Sequence, residues 1–271
     1  MNENALKTLK KKKATADELL AAARALAQSR DPQDHAGLRV ALGDADFLEA
    51  LETKEDDGEF EEPLAVELVL EDISNNEAPE SHAIIVGLTQ NPTFTHDAQR
   101  VEALIKACAA VRPAPREVIA FWDKFCQELD GFTPVTIRAL LDNASDPALE
   151  LFERKMVGNE HGEIYKLGWI YNSIVPRRNE LAILQSCQRL LTGDLAAELK
   201  PALVDGLFDY RPEEWYHPER VVEPADRTQA SPPARDELRK IGEHALRKIA
   251  LTDEQKEDVQ SVMEGLSAAT P

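Results

Sequence analysis

Three strings in this 271-residue chain hold residue types that could do chemistry. The first is Phe208-Asp209-Tyr210-Arg211-Pro212-Glu213-Glu214-Trp215-Tyr216, which gathers four rings and an arginine in a stretch broken by prolines. Tyr210, Arg211, Trp215 and Tyr216 suit molecular recognition, because such side chains offer large contact area at low entropy cost. The same rings also suit a hydrophobic plug at the end of a helical core, the commoner fate of Trp and Tyr. The second string is Arg177-Arg178 behind Pro176, where two guanidinium groups could hold an anion at a following helix N-terminus. A plain pair of surface arginines is the competing reading. The third is Asp56-Asp57-Gly58-Glu59, whose carboxylates suit a cation or a basic partner. It lacks the alternating oxygen ligands and the distant bidentate glutamate of an EF-hand, so no metal site is expected there.

Other reaction chemistries find no support. The six histidines (His35, His82, His96, His161, His217 and His244) include no pair four residues apart, so no H-E-x-x-H zinc site exists. His161-Gly162-Glu163 echoes the H-x-E of zinc deaminases, but the P-C-x-x-C that must accompany it is absent. The chain has no glycine-rich dinucleotide fingerprint, no P-loop and no G-x-S-x-G, so no cofactor is expected. Cys108, Cys126 and Cys187 are widely spaced and sit in apolar helical patterns. They read as small buried hydrophobes of a reducing compartment.

Charge bounds the partners. Fifty acids against 31 bases give a net charge of −19. Residues 44–80 hold fifteen of those acids and one base, Lys54, a local net charge of −14, and the remainder of the chain carries only −5. Nucleic acid, which calls for a basic surface, is disfavoured. So is a membrane surface. Fifteen carboxylates in 37 residues would steer a cationic protein, although a charge run can also be a solvated face that keeps the chain soluble. No apolar segment follows the initial Met-Asn-Glu-Asn and no 18 apolar residues run together, so neither a signal peptide nor a membrane span is expected and the cytoplasm is the expected location.

The elements that must position these strings read as helices. Alanine and leucine are abundant and aromatic residues make up only 6% of the chain, a helix-favouring balance. Thr15-x-x-Glu18 is a capping box that opens a helix with Leu19, Ala22, Ala23 and Leu26 on one face, and Asp31-Pro32 is expected to end it. Residues 64–90 suit helix or short strands, and helix is favoured because Leu64, Leu68 and Val69 share a helical face. Further starts fall near 97, 115, 133, 147, 163, 178 and 194, so a two-helix unit recurs every 30 to 36 residues. Thr133-Pro134 and Asp146-Pro147 each set a capping oxygen before a proline in the first turn. Pro212, Pro218, Pro224, Pro232 and Pro233 break the rhythm. Two more helices follow, the first with Leu238, Ile241, Ala245, Leu246 and Ile249 on its stripe. The second opens with the capping box Thr252-x-x-Gln255 and buries Val259, Val262, Met263 and Leu266.

Periods of this length belong to stacked helical hairpins. The string Ala139-Leu140-Leu141-Asp142-Asn143-Ala144-Ser145-Asp146-Pro147-Ala148-Leu149-Glu150-Leu151 resembles the inter-helix pattern of HEAT-like repeat proteins: a leucine-rich helix end, an acidic turn, then Asp-Pro. Leu149-Glu150 stands where that family often has Val-Arg. Leu167-Gly168-Trp169-Ile170-Tyr171 fits the tetratricopeptide Leu-Gly-x-x-Tyr, a competing resemblance. The HEAT-like resemblance covers about residues 79–210. It implies an all-α, right-handed superhelical solenoid of stacked helix pairs with a helical N-terminal extension. The expected organisation is an N-terminal helical and acidic segment over 1–78, the helical array over 79–210, a proline-rich loop over 211–233 and a helical pair over 234–271. Stacked pairs make extended surfaces, so the expected function is a scaffold, adaptor or inhibitor that grips a protein partner. The alternative is an enzyme, because some HEAT-like proteins are DNA-base glycosylases or lyases that attach bilin chromophores.

Overall fold

The structure, a computed structural model, describes residues 2–11, 14–52, 64–76, 78–126, 133–158, 180–208 and 231–268. Among the described residues there are fifteen helices and no strand. The chain divides into two compact units, 1–147 and 148–271.

The first unit begins with α1 (Glu3–Leu9), α2 (Ala16–Ala27), α3 (Pro32–Leu42) and α4 (Ala45–Glu52). It continues with α5 (Ala65–Asn75), α6 (Pro79–Leu88), α7 (Pro92–Thr95), α8 (Ala98–Cys108), α9 (Arg116–Phe125) and α10 (Thr133–Asn143). Local chemistry explains most starts. The Thr15 hydroxyl accepts the Glu18 N–H while Glu18 accepts the Thr15 N–H, both at 3.2 Å, which is the expected capping box. Asn91 and Asp97 accept N–H groups of the first turns of α7 and α8. Asp31-Pro32, expected to end the helix that starts after Thr15, instead opens the next one. α2 stops at Ala27, and the Asp31 carboxylate caps α3 by accepting the Gln33 N–H at 2.8 Å, with Pro32 in the first turn. α3 is hard to read in sequence because its buried face carries Asp34 and His35 beside Leu38 and Leu42, which blurs the apolar period.

Residues 65–75 and 79–88 are helical. The face of α5 that is buried is Val66, Val69, Leu70 and Ile73, an i, i+3, i+4, i+7 stripe; Leu64 and Leu68 are only half-buried.

Successive first helices pack in a row: α2 against α5, α5 against α8, and α8 against α10. α3 packs against α6, and α4 fills the angle between α2, α3 and α5. The core along this row includes Leu26, Leu38, Leu42, Leu48, Leu70, Ile73, Phe94 and Trp122, all fully buried. Each contributes about 1.5–3 kcal/mol by leaving water. The Trp122 indole N–H donates to the Ile105 carbonyl at 3.3 Å, so its one polar atom is satisfied in the interior. Beside α1, Gly37 lets α3 approach closely: a Cβ there would lie 2.2 Å from Leu6 Cδ2.

The second unit is built from α11 (Asp146–Val157), α12 (Leu181–Thr192), α13 (Lys200–Phe208), α14 (Pro232–Lys248) and α15 (Asp253–Ala268). α12 packs on α13 and α14, and α15 packs on both α13 and α14. The box Thr252/Gln255 forms as expected, with the Gln255 N–H donating to Thr252 Oγ1 at 3.2 Å and the Thr252 N–H donating to Gln255 Oε1 at 2.8 Å. α13 does not start near 194. Residues 193–199 form turns and the helix begins at Lys200. Pro201 forces this, because its ring would strike the carbonyl four residues back in a continuous helix. Leu195 and Leu199 are buried all the same. In α14 the buried positions are Ala234, Glu237, Leu238, Ile241, Gly242 and Ala245, while Leu246 and Ile249 are half-buried.

Candidate functional site

The nine residues singled out by sequence chemistry all lie outside the described residues: Asp56, Asp57, Glu59, Arg177, Arg178, Tyr210, Arg211, Trp215 and Tyr216. So do His161, Glu163 and the string Leu167-Gly168-Trp169-Ile170-Tyr171. The structure does describe the helices that flank these strings. Residues 53–63 run between α4 and α5, and residues 209–230 run between α13 and α14. Phe208, the last residue of α13, is fully buried. Its ring lies 3.4 Å from the position a Cβ would take on Gly242.

The acidic stretch divides into two populations. Asp44, Asp46, Glu71 and Glu80 are exposed. Glu52, Glu67 and Asp72 are instead used to join helices. Asp72 on α5 receives Arg24 Nε at 2.5 Å and Gln28 Nε2 at 3.0 Å, both on the α2 side. Glu52, at the end of α4, receives Arg100 Nη2 at 2.6 Å and Arg100 Nε at 3.1 Å, while Arg100 Nη1 donates to the Thr93 carbonyl at 3.2 Å. Glu67 receives Lys106 Nζ at 2.9 Å, joining α5 to α8. Partial burial pushes the Asp72 carboxyl upward, but the hydrogen bonds from Arg24 and Gln28 and the Arg24 charge outweigh it, and the group rests below the ordinary carboxylate value. The hydrogen bond to Glu52 raises the Arg100 guanidinium further above its usual value. Sequence reasoning missed Arg24, Arg100 and Lys106. No local signal marks them, since their carboxylates stand 48, 48 and 39 residues away.

An open groove of about 790 Å³ runs along the outer side of α3 and its turn into α4, lined by Ala36, Arg39, Val40, Gly43, Asp44 and Ala45. Val40 is 75% exposed there, the largest exposure of a bulky apolar side chain among the described residues. A second opening of about 590 Å³ lies beside Asn2, Glu3, Asn4, Ser29 and Asp34. Asp34 is buried, and its two oxygens accept the Asn2 N–H at 2.7 and 2.9 Å and the Ser29 hydroxyl at 2.7 Å. Its neighbour His35 is buried too, with Nε2 at 3.4 Å from Ser81 Oγ.

None of the three cysteines is in a disulfide, and all are buried. Burial pushes the Cys108 thiol far above its ordinary value, and burial with the nearby Glu153 charge pushes Cys187 up to about 12. Glu153 itself receives the Ser186 hydroxyl and Arg189 Nη2, each at 2.7 Å, which joins α11 to α12. Among the described residues no group of three His, Cys, Asp or Glu side chains could hold a metal ion. No described helix is long and apolar enough to cross a membrane.

No protein-family model, curated protein or solved structure matches this chain. Its chemistry therefore rests on its own residues: an acidic surface on α4 and α5, three of whose carboxylates are committed to helix seams, and an open groove beside it on α3.

Proposed function

We propose that this chain is a helical-repeat scaffold that binds a basic protein partner through the acidic residues of 44–80. The packing of α2, α5, α8 and α10 one after another is the observation that carries this reading. Sequential stacking of first helices is what a HEAT-like, right-handed solenoid of helix pairs requires, and such arrays present long surfaces suited to macromolecules. The local excess of acids supplies the attraction, and it outlasts the pairing of Glu52, Glu67 and Asp72 with Arg100, Lys106 and Arg24, because Asp56, Asp57 and Glu59 stand with nine further acids in the same run that those pairs leave aside. Tyr210, Arg211, Trp215 and Tyr216, with Arg177 and Arg178, are proposed as a second set of contacts in the other unit.

A lysine-rich peptide with a fluorescent label tests this. The full chain is titrated against it at about 0.05 and 0.2 M salt, around the range where the Debye length falls toward 8 Å. The variant carries Asp56→Asn, Asp57→Asn and Glu59→Gln with Glu55, Glu61 and Glu62 neutralised in the same way. The expected result is binding by the parent chain that weakens with salt and at least a tenfold loss in the variant. Equal affinity of parent and variant would sink the proposal.

A further inference from the structure

Two asparagines do the same work at two places in the first unit. Asn76 directly follows α5. Its Nδ2 donates to the carbonyl oxygens of Ala27 at 2.8 Å and Ser29 at 2.7 Å, at the C-terminal end of α2. Its Oδ1 accepts the N–H of Ala78 at 3.1 Å, immediately before α6. Asn143 closes α10. Its Nδ2 donates to the carbonyl oxygens of Ala109 at 3.0 Å and Val111 at 2.9 Å, at the C-terminal end of α8. Its Oδ1 accepts the N–H of Ser145 at 3.3 Å, immediately before α11, and the Ser145 hydroxyl as well.

The two arrangements share three hydrogen bonds of the same kind. The two carbonyls lie two residues apart, they stand at or just beyond the end of the helix that precedes in the row, and the N–H received lies two residues further along the chain. The partners are 49 residues distant in one case and 34 in the other, so this is no local turn motif. The last carbonyls of a helix have no partner within it, and a primary amide has two donors and an acceptor to offer. One Asn therefore satisfies two carbonyls across the seam, one at the helix end and one in the chain that leaves it, and one N–H on its own side. No other side chain of that reach does so: ionised Asp offers no donor, and Ser has a single one.

We infer that Asn76 and Asn143 are equivalent register locks, a recurring amide clamp that fixes where one first helix ends against the next. The clamp ties α2 to α5 and α8 to α10, and each lock governs the opening of its own seam. This holds whether or not the acidic segment binds a partner, so the two ideas fail separately.

Hydrogen–deuterium exchange on the full chain, followed by mass spectrometry, tests the inference. Asn76→Asp and Asn143→Asp keep the shape and replace the donors with acceptors; Asn75→Asp, at an exposed position of α5, is the control. Asn143→Asp is expected to speed exchange at least tenfold over 109–114 and 143–147 while leaving 27–31 and 78–81 within twofold. Asn76→Asp is expected to do the converse, and Asn75→Asp to move neither seam. No acceleration, or equal acceleration of both seams by one substitution, overturns the inference. Should a variant not fold, side-chain amide exchange in the parent chain decides by NMR. The NH₂ protons of Asn76 and Asn143 are expected to exchange at least tenfold more slowly than those of Asn75, and parity with Asn75 overturns the clamp.

Discussion

Replacing Arg100 with methionine removes the group that holds the end of α4. Arg100 contacts both carboxylate oxygens of Glu52 and the Thr93 carbonyl. The two side chains retain only 15% and 19% of their exposure. An exposed pair contributes about 0–1 kcal/mol, and removing one partner of a buried pair costs about 3–5 kcal/mol. This pair lies between those limits, so the cost is about 2 kcal/mol, roughly thirtyfold in the folded-to-unfolded ratio. For a unit of this size that is a fall of about 4–8 °C in Tm. The assay is a double-mutant cycle with Glu52→Gln, each protein unfolded in urea at about 0.15 M and at about 1 M salt. The expected coupling is about 1–2 kcal/mol, with most of it retained at the higher salt. A coupling below about 0.5 kcal/mol, or one that vanishes at the higher salt, would show an ordinary solvated pair and refute the claim that α4 is pinned.

Two further outcomes follow from other contacts. The Asp72 carboxyl titrates below its ordinary value of about 3.9, so its stabilising contribution is complete above that pH and is lost as pH falls through the folded-state value. Asp72→Asn is therefore expected to lower the urea midpoint at pH 7, and the gap from the parent chain should narrow at pH 3; a gap that widens on acidification would show the sign to be wrong. Gly193→Ala places a Cβ 2.8 Å from the Arg189 carbonyl oxygen, which is backbone and cannot swing aside. A loss of about 1–3 kcal/mol is expected by calorimetry, and an unchanged Tm would mean that the end of α12 relaxes freely.

How much of this was legible can be judged from particular residues. Both capping boxes, Thr15/Glu18 and Thr252/Gln255, were readable, because their partners stand three residues apart and the physics is local. Asp31-Pro32 was misread for the same local reason. An acid before a proline fits a chain leaving one helix as well as a chain entering another, and only the hydrogen bond to the Gln33 N–H distinguishes them. The start of α13 was misplaced because leucines at 195, 199, 203 and 207 keep helical spacing through a turn, and all four are buried regardless.

The sequence by itself determined the helical character of the chain, since helix propensity, apolar period and caps all act within a few residues of one another. It also determined the concentration of −14 charges in residues 44–80, which is arithmetic. Tertiary structure alone decided which of those charges are tied to another helix. Glu52, Glu67 and Asp72 look in sequence like their neighbours, yet each meets a cation 39 or 48 residues away. Asn76 and Asn143 are likewise ordinary asparagines until the ends of α2 and α8 are brought against them. Side-chain pairing across a seam depends on which helices pack together and in what register. That is fixed by burial summed over the whole unit, a quantity no short window of sequence contains.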